Sequence, residues 1–390
     1  MDVCVLFYYC AMAEPSHIWI YIAPLACILI YWIRSYRALQ TLRNLVPPSS
    51  EVPKNYTKRI LVIVPFCDEV LHLPHLLYDL AHLDTLDLNV QIVLVNDHSR
   101  DRGEVYALEH NPLPNLIVVA HSTALPGKKN AILFALEHFD CDVFCTLDAD
   151  ARVPAHWLQS MVSNYHYSEP AMVIGQVTMR PTPQWIGRFQ CTEWLLLQGL
   201  TIASAEKFKP VLCNGANLLI ERASFEESGG YLRHLETASG DDMYTMLTFK
   251  RYGEGGIKMQ SEANSAVEIQ PIPTWKGLWM QRVRWASKKN LVRDKDVLLS
   301  GFIIVLGNLS LLWCALCSPF IPFTSHLFFL LLGMKCIADY GVADHIAKQR
   351  KQTFQEVDLI ALNLIYPLYL VAVWIGARCY TPIWKHPKKR

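Results

Sequence analysis

Four short apolar runs in the first half of the chain set the limits on what it can fold into. Arg59–Pro65, Gln91–Val95, Leu116–Ala120 and Asp142–Thr146 are dominated by Val, Ile, Leu and similar residues. Between them lie stretches with helical periodicity, Leu73–Leu83 and Lys129–His138. Pro74 falls in the first turn of the former, where proline is tolerated. Near-continuous apolar strands alternating with helices predict an α/β fold whose mostly parallel sheet is covered on both faces. In such sheets ligands bind beyond the carboxyl ends of the strands. This chain carries its carboxylates there: Asp68 and Glu69 after the first run, Asp97 after the second, Asp148 and Asp150 after the fourth.

Hydrophobic residues make up 52% of the 390 residues. That is high for a purely soluble protein, so part of the chain is expected in lipid. Ile18–Ile33 carries no charge, Arg34 and Arg37 follow it, and the segment before it holds Asp2 and Glu14 but no Lys or Arg. By the positive-inside rule this is an anchor whose C-terminal side faces the cytoplasm. The positive charge follows the apolar core instead of preceding it, which speaks against a cleaved signal peptide. Pro47, Pro48, Ser49, Ser50 and Pro53 read as a linker. Three further apolar segments follow residue 296: Val297–Leu316, Phe320–Met334 and Leu359–Ala377, the last interrupted by Pro367. The basic run Lys348–Lys351 and the basic tail Lys385–Arg390 both favour the cytoplasm. Three full spans would place the tail outside, so either the tail lies there or one segment is interfacial or re-entrant. The expected organisation is a membrane anchor at 1–40, a catalytic domain at 55–270, an interface helix at 271–296 and a membrane region at 297–390. The net charge of +1 lacks the basic excess of a nucleic-acid binder. The twelve cysteines show no zinc-site spacing and read as reduced, buried thiols, as expected in a reducing compartment.

Three motifs carry the chemistry. Asp148 and Asp150 flank Ala149 at a strand end, so both carboxylates point the same way and can share a hard cation. Mg2+ or Mn2+ takes one or two carboxylates plus phosphate oxygens and would neutralise a departing diphosphate. Alone, such a pair is more often an acidic turn. Gly240-Asp241-Asp242 offers an acid as general base for an acceptor hydroxyl; its bland alternative is a cap on the helix Met243–Arg251. Gln281-Arg282-Val283-Arg284-Trp285 lies on a helix starting at Trp275, with 281, 284 and 285 on one face. Arg284 suits a diphosphate and Trp285 a sugar ring or lipid edge. Trp275, Trp279 and Arg282 on the same helix fit the headgroup level of an interfacial helix. Asp97 can accept from a nucleobase or ribose, or simply hold a turn. Lys128 opens a helix, where a cation opposes the dipole, and this favours a place near a nucleotide.

The ordered set of strand-end acids, DxD, GDD and QxxRW resembles the inverting, membrane-associated family 2 glycosyltransferases. That group includes ceramide glucosyltransferases and chitooligosaccharide, hyaluronan and poly-N-acetylglucosamine synthases. The resemblance covers about residues 55–296. It implies a GT-A fold flanked by transmembrane helices and a UDP-sugar donor. It implies that Asp97 contacts the uracil, with Glu69 and Lys128 lining the nucleotide pocket, Asp148 at the donor and Asp150 on the metal. It makes Asp242 the base and sets Asp241, Gln281, Arg284 and Trp285 at the diphosphate and acceptor. Asn214 and Asn217 of Cys213-Asn214-Gly215-Ala216-Asn217 are secondary candidates. Cys67-Asp68-Glu69 departs from the Asn-before-Glu of many relatives, which leaves the donor-binding role of Asp68 open. The expected activity is transfer of a hexose or N-acetylhexosamine to a lipid or lipid-linked glycan at the cytoplasmic face of the cell membrane, with Mg2+ or Mn2+. A processive synthase is the alternative within the family. An inactive membrane scaffold and a nucleotidyltransferase are the alternatives outside it, though Asp150, Asp242 and Arg284 are all present.

Overall fold

A computed structural model describes residues 18–45, 56–113, 117–122, 125–207, 209–231, 240–252, 256–260, 262–287 and 293–379. The proline linker, Asp2, Glu14, Leu116 and the basic tail lie outside the described residues. The chain opens with an apolar helix, α1 (Trp19–Arg43). Strands and helices then alternate: β1 (Arg59–Phe66), α2 (Leu73–Ala81), β2 (Asn89–Asn96), α3 (Gly103–Glu109), β3 (Ile117–His121), α4 (Lys128–His138) and β4 (Val143–Leu147). Next come α5 (Trp157–His166), β5 (Met172–Ile174), β6 (Val177–Met179), α6 (Trp185–Glu206), β7 (Asn217–Glu221), α7 (Arg222–Glu227) and α8 (Asp241–Tyr252). The last part holds β8 (Ile257–Met259), β9 (Val267–Ile269), α9 (Trp275–Ala286), α10 (Lys295–Cys317), α11 (Thr324–Gln349) and α12 (Glu356–Cys379).

Seven strands form one sheet in the order β3-β2-β1-β4-β7-β5-β8, and β6 pairs with β9 in a separate ribbon. β1, β2, β3 and β4 run parallel, whereas β7 runs antiparallel to β4 and β5. The strand residues divide by parity, as the two-residue side-chain period requires. Leu61, Ile63, Val93, Val95 and Phe144 pack on one face with Ala131, Ile132 and Ala135 of α4. Ile60, Val62, Val64, Ile92 and Leu94 pack on the other with Leu76, Leu80, Trp157 and Met161 of α2 and α5. All are buried, and each such aliphatic side chain contributes about 1.5–3 kcal/mol relative to exposure. The sheet is therefore covered on both sides, which is why its strands are uniformly apolar. Among the described residues the cysteines are free thiols. Cys145 of β4 is fully buried, and burial raises its pKa, so it acts as a small hydrophobe.

Among the described residues four helices are long and apolar enough to cross a membrane: α1, α10, α11 and α12. The segment expected to end at Met334 instead continues to Gln349 in α11. The sequence reading stops there because Lys335 and Asp339 follow. In the fold those two charges meet one turn apart, Lys335 Nζ to Asp339 Oδ2 at 2.8 Å, and are buried together. Pairing removes the reason for the helix to end. The C-terminal half of α11 then joins the domain core, with Val342, Ala343, Ile346 and Ala347 in the same cluster as the sheet. Helix α6 sits between the membrane helices and the sheet and is buried along most of its length. Gly199 lets α11 approach: a Cβ there would lie 2.3 Å from Val342 Cγ1. Gly199→Ala should destabilise the chain by about 1–3 kcal/mol, the usual range for overpacking. The check is thermal unfolding of the full chain in detergent; an unchanged midpoint would show that this contact carries no constraint.

Candidate active site

Strand order reverses between β1 and β4, and the crevice beyond their carboxyl ends is where such sheets bind ligands. A cavity of about 560 Å³ opens there. Glu69, Asp97, Lys128, Asp148, Asp150, Asp241, Asp242, Gln281, Arg284 and Trp285 all line it. The sequence spreads these residues over more than 200 positions, and the fold gathers them at one mouth.

Asp97 is buried after β2, and both its carboxylate oxygens accept from Gly127 N at 3.0 Å. Gly127 sits at φ +138°, a conformation that side-chain-bearing residues rarely adopt. Asp97 thereby fixes the turn that starts α4 and delivers the next residue, Lys128, into the cavity. Lys128 Nζ donates to Asp148 Oδ1 at 2.5 Å and to Gly215 O at 3.1 Å. Gly215 N in turn donates to Asp242 Oδ2 at 3.1 Å, and Met243 N donates to Asp242 Oδ1 at 2.7 Å. One chain of bonds thus runs from the DxD pair through Lys128 and Gly215 to the GDD acid. Burial works against the Lys128 charge, but Asp148, Asp241 and Asp242 outweigh it and raise its pKa. The loop behind Asp150 is pinned by Arg152, whose Nε and Nη2 hold both oxygens of Asp79 on α2 at 2.6 and 2.8 Å.

Helix α9 forms the opposite wall. Thr274 Oγ1 caps it by accepting from Gly277 N. Arg284 is lowered from the ordinary arginine pKa by burial, while Asp242, Asp241 and Asp148 act on it in the opposite direction. Arg282 differs from its expected place at the headgroup level. It is buried, pairs through Nη2 with Glu193 Oε2 at 2.5 Å, donates to Gln281 Oε1 and lies 4.2 Å from the ring centre of Trp285. A guanidinium next to a buried carboxylate is held inside the protein instead of at a lipid surface. Glu193 also accepts from Tyr366 OH of α12 at 3.1 Å. Sequence reasoning missed Glu193 and Tyr366. The one available signal was a lone acid inside the long apolar stretch of α6.

Two expected residues stand apart. Asp68 does not line the cavity. At φ +56° it turns its Oδ1 back to accept from Arg100 N and Asp101 N at 2.6 and 3.2 Å, tying the loop after β1 to the loop after β2. Asn217 is fully buried on β7, accepting from Trp157 Nε1 and donating to Gln176 O, both at 2.8 Å. Asn214 lines the cavity and accepts from Ala216 N at 3.0 Å.

The donor set fits a hard divalent cation. Asp150 opens onto the cavity, yet crowding protein, Asp148 and Glu69 push its pKa up to about 6. Unneutralised carboxylates at one mouth are what Mg2+ or Mn2+ relieves. Among the described residues no group of three or more His, Cys, Asp or Glu side chains closes on one point. The protein would therefore supply one or two oxygens, leaving other positions to phosphate and water.

The combination of parallel sheet, strand-end acids and membrane helices defines a nucleotide-diphospho-sugar transferase architecture, the GT-A fold. Residues 61–229 match the family model for Glycosyl transferase family 2. A protein named "Probable glycosyltransferase YdaM" from Bacillus subtilis (strain 168) is 26% identical over 263 residues. That alignment covers 66% of this chain and 61% of the relative, so the similarity spans under two thirds of the relative's length. The undecaprenyl-phosphate 4-deoxy-4-formamido-L-arabinose transferase of Shewanella sediminis (strain HAW-EB3) is 29% identical over 107 residues, 27% of this chain and 32% of that one. Among solved structures, the mannosyltransferase PcManGT from Pyrobaculum calidifontis, in complex with GDP-Man and Mn2+, superimposes with a TM-score of 0.50 at 19% identity. It covers 92% of this chain and 97% of that one. Asp241, Asp242, Gln281, Arg284 and Trp285 lie beyond the matched family region, so their part in the site rests on geometry.

The raised Asp150 has a pH consequence in the cation-free protein. The folded chain keeps that proton up to about pH 6, whereas an unfolded aspartate loses it near about pH 4. The folded state binds the extra proton in that window, so this contribution to stability falls as pH rises from about 4 to about 6. Asp150→Asn should flatten that part of the profile. Thermal unfolding at stepped pH in chelator tests it; identical slopes in both proteins would remove Asp150 as the cause.

Proposed function

We propose that the protein is an inverting, membrane-bound glycosyltransferase, moving a hexose or N-acetylhexosamine from a nucleoside-diphosphate sugar, UDP-linked by preference, to a lipid or lipid-linked acceptor at the cytoplasmic face. One observation carries this reading: a single cavity joins the Asp148/Asp150 pair, Asp242 and Arg284 beside helices long enough to span a bilayer. The Mn2+ and nucleotide sugar named with the Pyrobaculum structure and the lipid phosphate in the name of the Shewanella relative support it.

In this proposal Asp97 and Glu69 hold the nucleoside end, while Lys128 and Asp148 orient the donor. Asp150, with Asp148, would hold Mg2+ or Mn2+, which when bound offsets the charge of the departing diphosphate. Arg284 binds that diphosphate by charge-assisted hydrogen bonds. Gln281 and Trp285 shape the acceptor side, with Asp241 beside them. Asp242, fixed by two backbone N–H groups, takes the proton from the acceptor hydroxyl. The oxygen attacks the anomeric carbon opposite the diphosphate, the C–O bond to phosphate breaks, and its electron pair leaves with the phosphate oxygen. A single in-line displacement inverts the anomeric centre, and no covalent enzyme intermediate forms.

Asp242→Asn should retain binding of the nucleotide sugar and lower transfer by about 10²–10⁴-fold, the range for a positioned general base. Nucleotide binding by calorimetry and product formation by mass spectrometry, run with a donor panel and native lipid extract, test this. Unchanged turnover would remove Asp242 from the mechanism. Trp285→Ala should reduce product formation more than nucleotide binding; equal losses would show that Trp285 only packs.

A further inference from the structure

The contacts of α12 decide how it sits against the membrane. By length and composition it qualifies as a span. Asp358 in its first turn pairs with Arg188 Nε of α6 at 3.2 Å. Further along, Tyr366 OH donates to Glu193 Oε1 of α6 at 3.1 Å, and the ring centre of Tyr369 lies 5.8 Å from that of Phe189. Near its end Gly376 presses on α9: a Cβ there would lie 2.5 Å from Trp279 and 2.7 Å from Val283. One face of α12 is thus laid along α6 and α9 from Asp358 to Gly376, a length of about 27 Å.

The two supporting helices wall the catalytic cavity, through Glu193 on α6 and Gln281, Arg282 and Arg284 on α9. If α12 stood upright, its length would use nearly the whole hydrocarbon core of about 30 Å. The helices packed along it would then stand at hydrocarbon depth, with an open polar cavity beside them. A charge at that depth costs about 2.5–3.5 kcal/mol on the insertion scale. The outer face of α12 has the opposite character. From Ile360 to Ile375 every exposed residue is Ile, Leu, Ala or Trp. The helix is mostly apolar all round because protein meets one side and the other is left for lipid.

Helices α1, α10 and α11 pack on one another through Ile28, Leu311 and Leu331. α12 meets this bundle at Lys335, whose Nζ donates to Asn363 Oδ1 at 2.5 Å. From Thr324 to Lys335 the α11 axis runs about 17 Å. A helix lying flat at that level adds its own diameter of about 10 Å, which together approach the hydrocarbon thickness of about 30 Å. We infer that α12 is not a span: it lies flat in the cytoplasmic leaflet, its exposed stripe bedded in lipid acyl chains and its inner face carrying α6 and α9. Among the described helices α1, α10 and α11 then make the crossings. This arrangement also satisfies the charges. α1 enters the cytoplasm at Arg34 and Arg37, α10 leaves it, α11 returns at Lys348–Lys351, and the basic run Lys385–Arg390 stays on that side. A fourth crossing would carry that run outside. The placement is independent of the chemistry proposed for the cavity.

Two measurements on the full chain test it. The first fuses an epitope after Arg390 and adds protease to sealed membrane vesicles of each sidedness. The epitope should be cleaved in the same vesicles as the catalytic domain. Cleavage of the epitope in vesicles that protect the domain would overturn the inference. The second places a spin label on a genetically encoded keto side chain at Ile360, Leu364, Leu368 or Ile375, all on the exposed stripe. Depth in liposomes is read from the ratio of oxygen to nickel-chelate collisions. The four depths should agree to within about 5 Å, roughly one helix radius. An upright helix would instead spread them over about 22 Å, and such a gradient, or a maximum at Leu368 with both ends near headgroups, would equally overturn it. Neither measurement uses sugar transfer, so failure of the transferase reading would leave both results unchanged.

Discussion

The structure depends on gathering like charges that would otherwise repel. Glu69, Asp148, Asp150, Asp241 and Asp242 open onto one cavity, and burial together with the charges of Asp148 and Glu69 raises the pKa of Asp150. Lys128 and Arg284 answer them from opposite walls. Lys128 does so from the first turn of α4, a position the helix dipole disfavours, because Asp97 and Gly127 shape the turn that aims it. The result is a site with carboxylates on one side and an arginine on the other.

That site is mechanically continuous with the membrane part. Glu193 on α6 holds Arg282 of α9 and Tyr366 of α12. Arg282 in turn holds Gln281 and underlies Trp285. A buried ion pair of this kind adds little net stability, but removing one partner strands the other charge. Its effect here is positional: the α9 wall of the cavity is set by how α6 and α12 pack. Gly376 of α12 has no room for a Cβ, which would lie 2.5 Å from Trp279 of α9. Movement of the membrane helices and placement of Trp285 are therefore linked through direct contacts.

Much of this was legible in the sequence. The strands showed because burial on both faces demands uninterrupted apolar residues, and β1, β2 and β4 fall within a few residues of the expected runs. The strand-end acids showed because parallel sheets present ligands at that edge. The harder parts were those set by distant partners. Lys335 and Asp339 look like the end of a membrane segment until the fold pairs them. Arg282 looks like a headgroup residue until Glu193, 89 positions away, is placed beside it. Nothing in the sequence shows that Asp68 adopts a positive φ and ties two loops together through Arg100 and Asp101. Local pattern reports what a residue prefers; a buried partner far along the chain decides what it does.

The central claim is that the acid pair, the GDD acid and Arg284 serve one nucleotide-sugar substrate in one cavity. The most direct measurement is an experimental structure of the full chain with Mn2+ and UDP. The account predicts the metal on Asp150, the diphosphate between it and Arg284, and the uracil beside Asp97. A nucleotide bound outside that cavity, or a metal held by other side chains, would contradict it.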